Sequence, residues 1–227
     1  VAPFVGQNLT ASINLLAFTW SPHAQEWAQK FGIPFVFVPF GVNTEVFNTS
    51  FSPWTSRQCD LFIHWDTSPT KYELRHEISE LLASNQSNST SDIHVYAPTT
   101  FLKEPIYLEA IKDCKMHIST IGMPGTVDLI GTRYFEIMAS GSSLLLVQRP
   151  NSRFSYYSYA VQGMVDGETV VMFSNVTELL EKIRYYKANE TAAKAIVDSA
   201  KNLSTRFSWG NRAWKIVKGI QEHSRSC

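Results

Sequence analysis

The chain has 227 residues, 44% hydrophobic and 18% charged, and its 20 basic and 20 acidic side chains cancel to a formal charge of zero. Such a length can bury roughly 70% of the unfolded surface, which allows one substantial core. The charge balance points to no nucleic acid and no anionic membrane as partner, and no apolar stretch reaches the ~18 residues of a transmembrane segment. The opening Val-Ala-Pro-Phe is neither an initiator methionine nor a signal peptide, so the chain reads as a processed product or an excised fragment.

In chain order, residues 13–19 suit a strand, 21–31 a helix opened by Ser21-Pro22, and 35–39 a second strand, together one βαβ unit. Residues 44–56 are polar and aromatic without a period and read as a linker. A second series follows: strand 59–65, helix 71–83 with Leu74, Ile78, Leu81 and Leu82 inward, strand 93–96, helix 107–113 and strand 115–120. A short helix from Thr132 to the small-residue turn at Gly141 leads into a buried strand at 143–147. A last strand at 170–173 precedes three helices at about 177–187, 190–204 and 209–222. Strands alternating with helices of this length predict an α/β fold: a Rossmann-like, doubly wound parallel sheet, with a partial βαβ unit at the N-terminus.

The most informative segment is Thr132-Arg-Tyr-Phe-Glu-Ile-Met-Ala-Ser-Gly141 with the apolar run behind it. Phe135, Met138 and Ala139 recur at helical spacing, and Arg133 and Glu136, three apart, share one face. Such a pair offers a fork for phosphate oxygens and a carboxylate for sugar hydroxyls. A solvated amphipathic helix is the plainer reading of the same ten residues.

This stretch resembles the nucleotide-sugar-binding segment of two-domain (GT-B) glycosyltransferases, specifically the CgeB-like group within the group 1 glycosyl transferases. The likeness extends upstream to Phe35-Val-Phe-Val-Pro-Phe-Gly-Val-Asn-Thr-Glu-Val-Phe47, similar to the crossing between the two domains. Downstream it takes in Val165-Asp-Gly-Glu-Thr-Val-Val-Met-Phe-Ser-Asn175 and Phe207-Ser-Trp-Gly-Asn-Arg-Ala-Trp214. The resemblance implies that residues 1–47 are the end of an N-terminal domain plus the crossing, and that 48–227 are the C-terminal donor-binding domain. The rest of the N-terminal domain would then be missing from this chain, and with it much of the acceptor site.

In related families the site is written as two acidic residues separated by seven others, and Asp128 and Glu136 have that separation. By analogy Glu136 binds the ribose, Arg133 neutralises the diphosphate, and Asp128 or its loop faces the sugar. The loop 122–132 bears Gly131 and Thr132 directly before the helix, where a flexible backbone can approach a sugar phosphate. A plain connecting loop fits the same residues. Tyr72 and Arg75 match a Tyr-x-x-Arg pair of the family, at a helix start beyond the carboxyl end of a strand where phosphate is favoured; a capped surface helix is the alternative. Tyr96-Ala-Pro98 ends a strand at the same edge, where it either contacts the base or packs. His64-Trp-Asp66 suggests acid/base chemistry but lacks a nucleophile elbow and reads better as a strand-end histidine. The aromatic run 154–159 is either a lid facing the acceptor or a cover for an exposed edge.

No Asp-x-Asp occurs and the six histidines lack ligand spacing, so no metal and no cofactor is expected beside a nucleotide diphosphate sugar as donor substrate. Three cysteines, Cys59, Cys114 and Cys227, exclude a disulfide framework but leave one bridge open. Asn-x-Ser/Thr occurs at Asn8, Asn48, Asn85, Asn88, Asn175, Asn189 and Asn202, seven of eleven asparagines; chance predicts roughly two. Capping at Thr177 and Thr191 accounts for part of the excess, and the remainder points to a glycoprotein of a secretory lumen, or a secreted one. The expectation is the donor-binding part of a glycosyltransferase acting on a glycan, protein or lipid acceptor. The alternative is a non-catalytic nucleotide-sugar-binding module.

Overall fold

The computed structural model describes residues 16–19, 24–64, 68–70, 72–83, 92–120, 130–150 and 153–225. The first unit is β1 (Ala17–Thr19), α1 (Ala24–Phe31) and β2 (Phe35–Phe37), with the two strands parallel and Ala17 opposite Phe35. The second contains β3 (Cys59–Phe62), α2 (Glu73–Ala83), β4 (Val95–Tyr96), α3 (Glu104–Asp113), β5 (Cys114–Ser119) and α4 (Thr132–Ser140). It continues with β6 (Leu144–Gln148), α5 (Arg153–Val161) and β7 (Val171–Phe173), and closes with α6 (Val176–Ala188), α7 (Glu190–Ser204) and α8 (Trp209–Arg225). The five strands form one parallel sheet in the order β4-β3-β5-β6-β7. The expected Rossmann-like, doubly wound arrangement is therefore present.

Both faces of this sheet are covered, which is why its central strands read as continuous apolar runs. Phe62 and Val147 look toward Tyr107 and Ala110 of α3, Phe135 and Met138 of α4, and Tyr159 of α5. Leu61, Met116, Leu144 and Leu146 look toward Ile78 of α2, Leu179 and Ile183 of α6, and Ile196 of α7. The chain runs from β3 outward to β4 and then back across β3 to β5. The carboxyl ends of β3 and β5 thus flank a topological switch point, where open sheets of this kind hold ligands.

Gly141 ends α4 in the left-handed conformation at φ 61°, as the small-residue turn requires. A Cβ there would also collide with the side chain of Lys201 from α7. The crossing from the first unit is tied to the chain's return from α7: Val42 donates to Phe207 O (2.8 Å) and Trp209 N donates back to Val42 O (3.2 Å). A Cβ at Gly41 would collide with the Trp209 ring, so α8 leaves the second unit beside the point where the chain enters it.

Several details differ from the sequence reading. Residues 153–161, to which the sequence reading assigned no element, form a helix, in which Ser158 and Tyr159 turn into the core while Tyr157 faces solvent. Tyr159 donates to Gln148 O (3.1 Å) and meets the Tyr134 hydroxyl at 3.3 Å, which ties α5 to α4 and β6. β3 ends at Phe62 and β4 has two residues, both shorter than expected. The linker at 44–56 keeps only a 3-10 turn, Trp54–Ser56, with Trp54 buried. The open question of one bridge is answered by Cys59–Cys114, which joins directly opposed residues of β3 and β5 at a Cα separation of 4.6 Å; Cys227 lies outside the described residues.

Candidate functional site

Four elements bring polar side chains to the carboxyl end of β3 and β5. α4 starts with Gly131 as an extended N-cap and Thr132 as its first residue. Their three-residue spacing, a little under one turn, places Arg133 and Glu136 on the same side, and Arg133 Nη1 donates to Glu136 Oε2 at 3.0 Å. Their side chains keep 30% and 15% exposure, so both are reachable though largely packed. From α3, the ring of Tyr107 lies 4.2 Å from the Arg133 guanidinium, and Phe101, in the loop before α3, lies 5.8 Å away. From the first turn of α2, Arg75, only 6% exposed, stacks 3.9 Å over the ring of Tyr72. His64, two residues beyond β3, completes the group with its ring edge-on to Phe62 at 5.1 Å and 6.0 Å from Tyr107.

The electrostatics follow from burial. Burial raises the Glu136 carboxyl above its usual value, and Arg133, with Tyr107 and Thr132, offsets part of that. For Arg133, burial works against the charge, but Tyr107 and Glu136 outweigh it and hold the guanidinium above its usual value. Burial pushes the His64 imidazole well down, and the positive charges of Arg75 and Arg133, with the neighbouring His117, act in the same direction. His117, wholly buried on β5 with its ring 4.7 Å from Phe62, is lowered to about 3, again mainly by burial. The result is a largely desolvated corner with two guanidiniums, one carboxylate and neutral imidazoles. Such a corner suits an anion carrying hydroxyl groups.

Of the residues picked from sequence, Gly131, Thr132, Arg133 and Glu136 sit together at the start of α4, and Arg75 with Tyr72 comes to the same corner from α2. Asp128 lies outside the described residues, as does Asp66. Tyr96, exposed at the end of β4, packs 5.5 Å from Phe62. Tyr107 and Phe101 were missed as partners of Arg133. Their contacts span more than 25 positions in sequence, and although Tyr107 shares a helix face with Ala110 and Ile111, nothing in that spacing names Arg133 as its partner. Of the sequon asparagines, Asn48, Asn175, Asn189 and Asn202 are exposed, while Asn8, Asn85 and Asn88 lie outside the described residues. Among the described residues no group of three or more His, Cys, Asp or Glu is placed to hold a metal ion. No helix among them is long and apolar enough to cross a membrane.

Residues 77–218 match the family described as glycosyl transferase-like, which is more than half of the chain. The chain belongs to that family. The match is to this broad family, not specifically to the CgeB-like group. It includes α3 and α4 whole, with Arg133 and Glu136, and leaves His64, Tyr72 and Arg75 outside its bounds. No curated protein matches the sequence. Among solved structures, sucrose-phosphate synthase from Thermosynechococcus elongatus superposes with a TM-score of 0.60 at 11% identity, covering 93% of this chain and 59% of its own. Anabaena HepE, solved in complex with UDP, gives a TM-score of 0.64 at 12% identity, covering 91% of this chain and 64% of its own. These are likenesses of fold, an α/β Rossmann-like parallel sheet resembling the C-terminal GT-B domain. This glycosyl transferase-like chain spans about 60% of the length of either structure.

Proposed function

We propose that this glycosyl transferase-like chain is the donor-binding part of a CgeB-like GT-B glycosyltransferase, one that moves a sugar from a nucleotide diphosphate sugar to a glycan, protein or lipid acceptor. The observation that carries the reading is the Arg133–Glu136 pair, backed by Tyr107, at the start of α4 and beside the switch point of the sheet. In this reading Glu136 accepts hydrogen bonds from the ribose hydroxyls. Arg133 and Arg75 flank the diphosphate, with the backbone of Gly131 and Thr132 at the helix start, where anions are favoured. Tyr72 holds the Arg75 fork by stacking on it. Asp128 is assigned to the sugar by its spacing from Glu136. The departing diphosphate gains its stabilisation from fixed positive charge and helix N–H groups, without a metal. Residues 1–47 are assigned to the end of the N-terminal domain and its crossing, and 48–227 to the donor domain.

A secretory lumen, or secretion, is the proposed location. Its support is the Cys59–Cys114 bridge, a bond that persists in oxidising compartments, together with exposed sequons at Asn48, Asn175, Asn189 and Asn202. A second reading, a nucleotide-sugar-binding module without catalysis, is favoured by one fact: Arg133 and Glu136 already satisfy each other at 3.0 Å.

Calorimetric titration with UDP, GDP and their sugar conjugates tests the site. We expect one nucleoside diphosphate to bind, and both Glu136→Ala and Arg133→Ala to weaken it about tenfold or more while the protein stays folded. Unchanged affinity in both variants removes the site assignment. Turnover of the bound sugar conjugate by a full-length protein separates the transferase from the module.

A further inference from the structure

His64 is 7% exposed, and its Nε2 is buried without a hydrogen-bond partner among the described residues. A buried imidazole nitrogen left in that state costs free energy, and native proteins seldom leave one without a reason. The ring is fixed by apolar contact, edge-on to Phe62 at 5.1 Å and 6.0 Å from Tyr107. Arg75 of α2, Arg133 of α4 and His117 of β5 bear on it electrostatically, and Arg133 is itself paired with the Glu136 carboxylate. Its place, just past the carboxyl end of β3, is one side of the switch point of the sheet.

Resting on the donor-site reading above, we infer that His64 is a further ligand-binding residue of that site, donating a hydrogen bond from its neutral imidazole to a diphosphate oxygen of the bound nucleotide. The two guanidiniums select the chemistry of that partner. An uncharged hydroxyl or a base edge would satisfy Nε2 but would make no use of the positive charge of Arg75 and Arg133. An anionic oxygen answers both. Burial and the same two cations keep the imidazole neutral before the ligand arrives, so the site stores no ion pair at His64 that the diphosphate has to displace. Tyr107 then has two tasks: one part of its ring supports Arg133, and its edge helps hold His64 in place.

The test titrates the full chain and two variants, His64→Phe and His64→Gln, with UDP, GDP, their parent nucleosides and inorganic pyrophosphate. Phenylalanine preserves the ring packing and removes the donor; glutamine keeps a donor. We expect His64→Phe to bind the preferred nucleoside diphosphate about tenfold or more weakly, with nucleoside affinity unchanged, and His64→Gln to recover part of the loss. Equal diphosphate affinity in His64→Phe overturns the inference while leaving the donor site standing. A loss of the same factor for nucleoside and diphosphate also overturns it, since that marks disturbed packing. Wild-type binding of pyrophosphate without either nucleoside diphosphate sinks the donor reading, and the pyrophosphate affinity of His64→Phe then decides for or against His64 as an anion ligand. A folded wild type that binds none of the probes overturns both.

Discussion

At the amino ends of β3 and β5, the Cys59–Cys114 bridge joins the strands and nearly every neighbouring polar group is answered. The buried Asp60 takes Lys115 at 2.5 Å, Lys187 at 2.6 Å and the backbone N–H of His94 at 3.0 Å. Arg57 directs all three of its guanidinium nitrogens to the carbonyls of Ser52 and Cys114. At the carboxyl ends of the same two strands the situation reverses: among the described residues His64 Nε2 and Thr120 Oγ1 are buried without hydrogen-bond partners. The strands are the same, and so is the surrounding core. What differs is that one end spends its polar groups on stability and the other holds unmet hydrogen-bonding capacity beside two guanidiniums. Unmet capacity next to a switch point is what a ligand site needs, since the ligand supplies the missing partners.

The largest effect is expected at the amino end. Replacing both Cys59 and Cys114 by alanine releases a cross-link across 55 positions, for which the chain-entropy account gives a loss of about 4 kcal/mol. Chemical denaturation of the double variant should show that loss. Because the bridge lies at the far end of the strands from Arg133 and Glu136, nucleotide affinity measured under folding conditions should be unchanged. A comparable loss of affinity would mean that the two ends are coupled and do not serve stability and binding separately.

A smaller effect sharpens the carboxyl end. His117 is lowered to about 3 by burial, below the ~6.5 of an unfolded histidine. Above pH ~6.5 neither state binds the proton; below it the unfolded chain does and the folded one does not, so stability is lost as pH falls toward the folded value. The slope is about 1.4 kcal/mol per pH unit for this one group. His64, lowered in the same direction, adds to it. His117→Leu should therefore be about 2 kcal/mol more stable than wild type at pH 5 relative to their difference at pH 7.5. A constant difference across that range would show that His117 is protonated or partnered in the folded state.

Much of this was legible in the sequence because the period of each element is set locally. The run 144–147 is apolar at every position because helices cover both faces of the sheet, and the helix before it carried its own stop at Gly141. Arg133 and Glu136 could be paired from a three-residue spacing alone. Arg75 was reached only through the Tyr-x-x-Arg resemblance, and the remaining partners that give the pair its setting could not be read at all: Tyr107 comes from another helix, and His64 reads in sequence as a strand-end histidine. Nor could α5, since Arg153-Phe-Ser-Tyr-Tyr-Ser-Tyr159 has aromatic residues at adjacent positions and only tertiary contact decides which of them turns inward. The Cys59–Cys114 bridge depends on strand order, which places residues 55 apart directly opposite each other.

The smallest expected effect concerns Asn175, where two readings of one residue meet. Its side-chain Oδ1 accepts from Glu178 N at 2.9 Å, which caps α6, while Glu178 reaches back to Ser174 N at 2.8 Å. The same asparagine opens an exposed Asn-x-Thr sequon. The cap uses the carbonyl oxygen and a glycan would use the amide nitrogen, so the two roles are chemically compatible. Asn175→Asp keeps an oxygen acceptor and removes the sequon; Asn175→Ala removes both. Alanine should cost about 1 kcal/mol and aspartate close to nothing. Expressed through a secretory pathway, both variants should lose the mass of one glycan relative to wild type if the sequon is used. Equal mass in all three proteins, together with the alanine penalty, would assign Asn175 to the helix alone and remove one of the exposed sequons from the argument for a lumenal protein.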